Sequence, residues 1–329
     1  MTSTNLEAVV LCVVKDGESL VQAFIEHYLQ LGFKHIFFLD NSSTDRTREI
    51  IADHQQTTLV LSSKPFSRYY ILFKNYLIQT FGLGKWCVVA DIDEFLYLPE
   101  RISLKKILTY LNDHAYDTVC IQMLDMFSKA ALPLQKSITE EKLEKEQENR
   151  YIPTRRWTLS QLAATFCYYD IKDIDHKKYI RWFQSRIHPA HRFLYGGIRK
   201  TVFHRDCFLT KEAMFFGRKH TRFVSSHLLK QSPLKRSRLA DVSFAFLHYK
   251  FIEGFYASTL KAVIAENHWR NSSEYKAYFK VLATTDNQIG LALYQPSSQK
   301  LREFDDLVQA GFVFASDEFI TFLEEAVSV

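Results

Sequence analysis

From Ala8 to Ala90 the hydrophobic period of the chain changes back and forth between that of a strand and that of a helix. Residues 8–14 form an unbroken apolar run of strand length, and Leu20, Val21, Phe24, Ile25, Tyr28 and Leu31 then recur at helical spacing until Gly32. The same reading predicts strands over 35–39, 58–61 and 86–90, with helices over 44–54 and 69–81 between them. A helix over 104–111 and a strand over 118–124 continue the series. Repeated units of this size predict an α/β fold with a mostly parallel sheet and helices on both faces. Ligands of such sheets bind beyond the carboxyl ends of the strands, so chemistry is expected just after Val14, Leu39, Leu61 and Ala90.

Beyond residue 130 the pattern is looser. Residues 133–160 read as an excursion containing a solvated, charged helix over 138–150, and 151–216 mix basic and aromatic residues, which predicts irregular strands and loops. From Glu253 onward, Phe255, Leu260, Val263 and Ile264, and later Phe319, Phe322 and Leu323, predict a helical C-terminal part. With 47% hydrophobic and 24% charged residues, 329 residues can bury a core without covalent staples. The five cysteines are odd in number, lack C-x-x-C spacing and sit mostly in apolar runs, which predicts reduced, buried thiols and neither a disulfide scaffold nor a structural zinc site. The run 8–14 is too short to span a bilayer and has no cationic leader, so a soluble, cytoplasmic protein is expected.

Charge is unevenly distributed. Residues 1–141 carry 13 basic and 17 acidic side chains, 142–238 carry 22 and 8, and 239–329 carry 7 and 12. A basic middle third attracts an anion: a phosphorylated small molecule, nucleic acid or an anionic membrane surface. Arg150, Arg155, Arg156, Lys177, Lys178 and Arg181 are the cations expected to form such a surface, the alternative being a solvated face offset by the acidic flanks.

The string Asp91-Ile92-Asp93-Glu94-Phe95 follows an apolar strand directly and so places three carboxylates where a ligand crevice is expected. Carboxylates this close repel one another, and a hard divalent cation supplies the counter-charge. A solvated turn or a helix start is the plainer reading. Asp40-Asn41-Ser42-Ser43-Thr44-Asp45 follows the second strand in the same way. Ser42 and Asp45 have the spacing of a capping box, while Asp40 at the strand end is placed to accept hydrogen bonds from a nucleobase.

Three of these blocks, in order, carry a resemblance. KDGESLVQAFIEHYLQLGFKHIFFLDNSSTD, then FKN at Phe73 to Asn75, then KWCVVADIDEFLYLP at Lys85 to Pro99, resemble the nucleotide-sugar domain of GT-A glycosyltransferases, in the family 2-like and family 92-like group. Gly196-Gly197-Ile198-Arg199, Leu209-Thr210-Lys211 and Leu247-His248-Tyr249-Lys250-Phe251 resemble later blocks of that group. The resemblance implies a GT-A fold with an α/β nucleotide-sugar core over 1–130, an acceptor-side part with a basic insertion over 131–251 and a helical extension over 252–329. It implies a metal, Mn²⁺ or Mg²⁺, on Asp93 and His248, with Asp91 holding the ribose or the metal. Asp40 would match a uracil-binding aspartate, and Lys15, Glu18, Asp45, Lys74 and Asn75 join the set expected to bind the donor. Lys74 stands where such proteins more often carry arginine, which keeps the charge and loses the bidentate fork. Arg199 and Lys211 are expected to neutralise the leaving diphosphate.

The implied activity is transfer of a hexose-type sugar from a nucleoside-diphosphate sugar, a UDP-sugar in the first instance, to a hydroxyl of a glycan or lipid-linked acceptor. Growing negative charge on the diphosphate calls for a metal and nearby cations, and inversion calls for a base. Asp125, after the strand 118–124, is the first candidate base and His227 the second. With no spanning segment, any contact with an anionic membrane would be peripheral. Two other classes compete with this reading. A sugar nucleotidyltransferase needs a glycine-rich basic phosphate loop, for which Lys15-Asp16-Gly17-Glu18 is too short and acidic. A nucleic-acid-binding module over 142–238 lacks any recognisable motif and leaves the carboxylates unexplained, so no nucleic-acid partner is expected.

Overall fold

The computed structural model describes residues 6–134, 155–178, 184–186, 191–231, 237–266 and 269–327. In chain order the first half contains β1 (Ala8–Val14), α1 (Val21–Gln30), β2 (His35–Asp40), α2 (Thr47–Ala52), β3 (Thr57–Leu61), α3 (Phe66–Phe81), β4 (Trp86–Val89), β5 (Glu94–Tyr97), α4 (Leu104–Asp113) and β6 (Thr118–Asp125). Next come α5 (Leu159–Thr165), β7 (Tyr168–Tyr169), β8 (Ile174–Lys178), β9 (Gln184–Arg186), β10 (Arg192–Gly196), α6 (Ile198–Phe203), β11 (Thr210–Phe216), β12 (Arg222–Phe223), β13 (Leu229–Lys230) and β14 (Ser237–His248). The chain closes with α7 (Phe255–Ala265), α8 (Trp269–Thr284), β15 (Gln299–Lys300), α9 (Phe304–Gln309) and α10 (Asp317–Val327).

The central sheet has the order β3-β2-β1-β4-β11-β6-β14-β5, with β9 paired beside β14. Strands β3, β2, β1 and β4 are parallel, and β6 and β14 run the same way, whereas β11 and β5 pair antiparallel to their neighbours. The sheet is therefore mostly parallel, as the repeated units predict. The order turns back at β1: the chain moves outward to β3 and returns to lay β4 on the other side. That reversal opens a crevice beyond the carboxyl ends of β1 and β4.

Strand β1 shows why helices cover both faces. Val10, Cys12 and Val14 point into the core shared with Phe24 and Tyr28 of α1, while Val9 and Leu11 pack with Phe73, Leu77 and Ile78 of α3. The period of two sends alternate side chains to opposite helical layers. The C-terminal helices add two further contacts. Phe255 of α7 and Tyr278 of α8 pack with Phe203 and Phe251, and Phe319 of α10 packs edge-on against Tyr110 of α4.

Differences from the sequence reading are local. The stretch expected to be irregular contains β11, a full member of the central sheet, and β5 and the twelve-residue β14 were not anticipated. Both faces of β11 and β14 are buried, so neither shows the alternation that marks a half-exposed strand. The capping box across Ser42 and Asp45 does not form. Ser42 donates to the Ser62 carbonyl at 3.3 Å, and Asp45 Oδ1 instead accepts from the Thr47 amide at 3.0 Å. The charged helix expected over 138–150 lies outside the described residues. All five cysteines are unpaired, with Cys12, Cys87 and Cys120 buried, and no described helix is long and apolar enough to cross a membrane.

One packing detail makes stability depend on pH. His27 of α1 sits 2.8 Å from the Leu96 carbonyl, and burial lowers its pKa to about 4. The unfolded chain takes up a proton near the ordinary value while the folded chain resists it, so this stabilisation is complete above the unfolded value and is lost as pH falls toward 4. The loss is up to about 3 kcal/mol. Urea unfolding at neutral pH and near the folded pKa should show a smaller drop for His27→Gln, which retains a donor and does not titrate, than for the unaltered protein.

Candidate active site

The two antiparallel strands complete the crevice. Because β5 and β11 run against the others, their first residues lie where the parallel strands end. Asp91 and Asp93 after β4, Glu94 opening β5, Asp125 closing β6, Lys211 at the start of β11 and His248 closing β14 therefore meet at one edge. The register makes two of these meetings explicit, since His248 is paired with Glu94 across β5 and with Asp125 across β6.

Asp91 is held by two ammonium groups, Lys211 Nζ at 2.9 Å from Oδ2 and Lys74 Nζ at 3.2 Å from Oδ1. Burial works against its ionisation, yet Lys211 and Lys74 outweigh it and hold the carboxyl well below the ordinary range. Lys211 also bonds Glu94, whose second oxygen accepts the Asp91 amide at 2.9 Å. The Tyr249 amide donates to the Asp93 carbonyl at 2.8 Å and ties this turn to the end of β14.

His248 is buried between carboxylates. Its Nδ1 is 2.6 Å from Asp125 Oδ1 and its Nε2 is 3.2 Å from Asp93 Oδ2. Arg199 Nη2 also lies 2.9 Å from Nδ1, but the shorter Asp125 contact assigns the ring hydrogen to Nδ1. Burial lowers the His248 pKa, but the carboxylates of Asp93 and Asp125 outweigh it and raise it, so Nε2–H donates to Asp93 in the cation-free site and a cation held by Nε2 would displace that proton. Burial raises the Asp93 pKa, and His248 more than offsets this, leaving it at about 2. Asp125 is engaged twice, because Arg199 also bonds it through Nε and Nη2 at 2.8 and 2.7 Å. Its carboxyl lies well below the ordinary range, as Arg199 and His248 outweigh burial.

Arg199 reaches this position from a sharp turn. Gly196 and Gly197 have φ of +91° and +65°, and a Cβ on Gly196 would come within 2.5 Å of the Asp173 carbonyl oxygen. Only glycine takes this path from β10 into α6 without strain. The other expected residues separate into two groups. Asp40, Asp45 and Glu18 gather at the ends of β1 and β2. Glu18 is fully buried, accepts from the Arg46 amide at 3.1 Å and pairs with Arg156 at 2.7 Å. Asp40 takes Arg48 on Oδ1 at 2.6 Å, whereas its buried Oδ2 has no hydrogen-bond partner. Lys15 is exposed beside them. By contrast, both side-chain amide atoms of Asn75 bond the backbone of Phe223, which is a strut between α3 and β12. His227 holds the Thr210 carbonyl at 3.0 Å through Nδ1, and burial, with help from Lys211, lowers its pKa to about 3.

Two participants escaped the sequence reading. Glu274 of α8 lies 3.7 Å from Arg199 and also bonds Tyr278, and its pKa falls to about 2 because Lys250 and Arg199 outweigh burial. Lys250 lies 5.0 Å from the centre of the Tyr275 ring and 5.6 Å from that of Tyr278. Lys250 lies within the Leu247–Phe251 string, where only His248 carries an expected role. Glu274 had no local signal, since α8 brings it in from a distant part of the chain. Among the described residues no set of three or more His, Cys, Asp or Glu side chains is arranged to hold a metal. Asp93 and His248 alone offer an oxygen and an imidazole nitrogen, which fits a divalent cation that draws its remaining ligands from water and substrate phosphate.

The Asp125–Arg199 pair generates a stability prediction. Both side chains are about 5% exposed, so removing one partner strands a buried charge. Asp125→Ala should cost about 3 kcal/mol or more by chemical denaturation, well above the cost of a surface aspartate-to-alanine control.

The sequence profile of glycosyltransferase family 92 matches residues 9–180. No curated protein matches the chain. Among solved structures, TarS of S. aureus is similar at 15% identity and a TM-score of 0.30, over 39% of this chain and 25% of that one. HddC from Yersinia pseudotuberculosis is similar at 9% identity and a TM-score of 0.26, over 41% of this chain and 65% of that one. The chain thus spans about a quarter of the length of TarS. The family profile, by contrast, runs over more than half of the chain and through β1, the Asp93 turn and the end of β6, and the chain belongs to glycosyltransferase family 92.

Proposed function

We propose that the protein is a glycosyltransferase that moves a sugar from a UDP-sugar to a hydroxyl of a glycan or lipid-linked acceptor, with a divalent cation and with inversion. The observation that carries this reading is the Asp93–His248 pair, with Nε2 3.2 Å from Oδ2, set beyond the carboxyl end of β4. Electrostatics supports it. The carboxylates of Asp91, Asp93, Glu94, Asp125 and Glu274 face Lys74, Lys211, Arg199, Lys250 and His248, so the cluster is nearly neutral, and a diphosphate needs added positive charge. A bound Mn²⁺ or Mg²⁺ supplies that charge as a Lewis acid on the leaving diphosphate.

In this reading Asp93 and His248 Nε2 would hold the cation, and Asp125 keeps the His248 ring turned by accepting a hydrogen bond from Nδ1. Asp125 is thereby a positioning residue. His227 is left to take the acceptor hydroxyl proton, being unprotonated at neutral pH but with its basicity held down by burial and Lys211. Lys74 and Lys211 fix Asp91, and Arg199 carries charge toward the diphosphate. At the other end of the crevice the unpartnered Oδ2 of Asp40 accepts the N3–H of uracil, a buried acceptor whose lack of a partner is otherwise costly.

Two measurements test the assignments. Asp93→Asn and His248→Ala should each abolish cation-dependent turnover of a UDP-sugar, with unchanged circular dichroism; turnover within a few-fold of the unaltered protein for Asp93→Asn would overturn the cation site. Calorimetric titration should rank UDP above GDP and ADP, and Asp40→Ala should remove that ranking. A clear preference for GDP would remove Asp40 from the base pocket while leaving sugar transfer intact.

A further inference from the structure

Three cations of the basic surface expected from the charge map have partners. Arg156 is paired with Glu18, Arg155 lies 4.1 Å over the Trp157 ring and Lys177 lies 4.3 Å over Tyr195. Arg150, Arg181 and the side chain of Lys178 lie outside what the structure describes. Other exposed cations border a different kind of surface.

Two stretches of the sequence, 54–90 and 213–240, contain no aspartate or glutamate at all while carrying Lys64, Arg68, Arg218, Lys219 and Arg222 among their cations. They are far apart in sequence, and the fold lays them side by side. Asn75 of α3 exchanges two hydrogen bonds with Phe223 of β12, and Gln79 donates to the Thr221 carbonyl at 2.7 Å. On the outer side of this junction the apolar residues are uncovered. The described residues expose six large hydrophobic side chains; five belong to these two stretches, and four of those lie on or beside α3 and β12: Leu72 (59%), Tyr76 (48%), Leu83 and Val224. Leu72 and Tyr76 are four apart and so share one helical face. Around them Arg68, Lys219 and Arg222 are exposed and make no ion pair among the described residues, whereas Arg218 is paired with Asp117.

We infer that the outer face of α3 and the neighbouring 218–224 segment form a peripheral docking surface for an anionic lipid bilayer. An acid-free cationic border alone would suit any polyanion. Uncovered leucine, valine and tyrosine inside that border suit an interface whose depth is apolar and whose surface is negative, with tyrosine favoured at the boundary between the two. The cations add attraction to anionic headgroups, and that part is screened by salt. α3 presents Lys74 inward to Asp91 and Leu72 and Tyr76 outward, so a bilayer on this face lies one helix away from the candidate active site. The inference goes beyond the transfer reading and does not depend on it, since binding is read without any sugar donor.

Co-sedimentation with vesicles of phosphatidylcholine, with and without phosphatidylglycerol, tests it. The protein should pellet with the anionic vesicles at low salt, less at moderate salt and little with phosphatidylcholine alone. Leu72→Ser with Tyr76→Ser, and separately Lys219→Glu with Arg222→Glu, should each lower the bound fraction about tenfold or more, with circular dichroism unchanged. Arg155→Glu with Lys177→Glu should leave binding as it was. No binding to anionic vesicles at low salt overturns the inference. So does unimpaired binding of the Leu72/Tyr76 double variant, above all if heparin competes fully, because the surface is then a site for soluble polyanions. Loss of binding confined to the Arg155/Lys177 variant overturns it equally.

Discussion

A single imidazole ring, that of His248, is held between two carboxylates, and the rest of the cleft is arranged around that fact. Strand β14 runs between β6 and β5, and its last residue is brought level with Asp125 on one side and with the turn that carries Asp93 on the other. The ring is oriented by Asp125, Asp125 is oriented by Arg199, and Arg199 is delivered by a glycine turn that no other residue could make without strain. Each step is an ordinary hydrogen bond or backbone constraint. Together they leave Nε2 of the ring facing one carboxylate oxygen.

The sheet explains why charges of both signs gather here without collapse. A purely parallel sheet brings only strand ends to the crevice. The two reversed strands bring beginnings as well, so Lys211 and Glu94 enter among the carboxylates and histidine contributed by their neighbours. Opposite charges are thereby interleaved at distances of about 3 Å, and burial strengthens each pair while penalising any member left alone. The cleft is charged in detail and almost neutral in sum. Under the proposed reaction, that balance suits a diphosphate arriving with its counter-ion.

Much of the α/β core could be read from the chain. The alternation of periods located β1, α1, β2, β3, α3 and β4 to within a few residues, because half-buried helices and short buried strands leave distinct patterns. The same rule failed for β11 and β14, buried on both faces and so lacking alternation, and for the short β5, which follows the carboxylate string directly. Asp91, Asp93 and His248 were legible through position and resemblance. Glu274 was not, since nothing around it on α8 marks it and only tertiary packing brings it to Arg199. Asn75 shows the opposite case, a residue in a suggestive string whose amide is spent on joining two elements. Within the basic middle third, counting charges does not tell which guanidinium is bonded to Glu18 and which lies over an indole.

The bidentate contact between Arg199 and Asp125 has a consequence for descent. Neither side chain is tolerable without the other, and His248 leans on the same carboxylate. Drift at any one of the three is closed by its neighbours, and the only open route is a concerted exchange of all three. They should therefore pass between related sequences as one inherited character, even though residues 125, 199 and 248 lie on three separate elements and nothing in the linear order of the chain connects them.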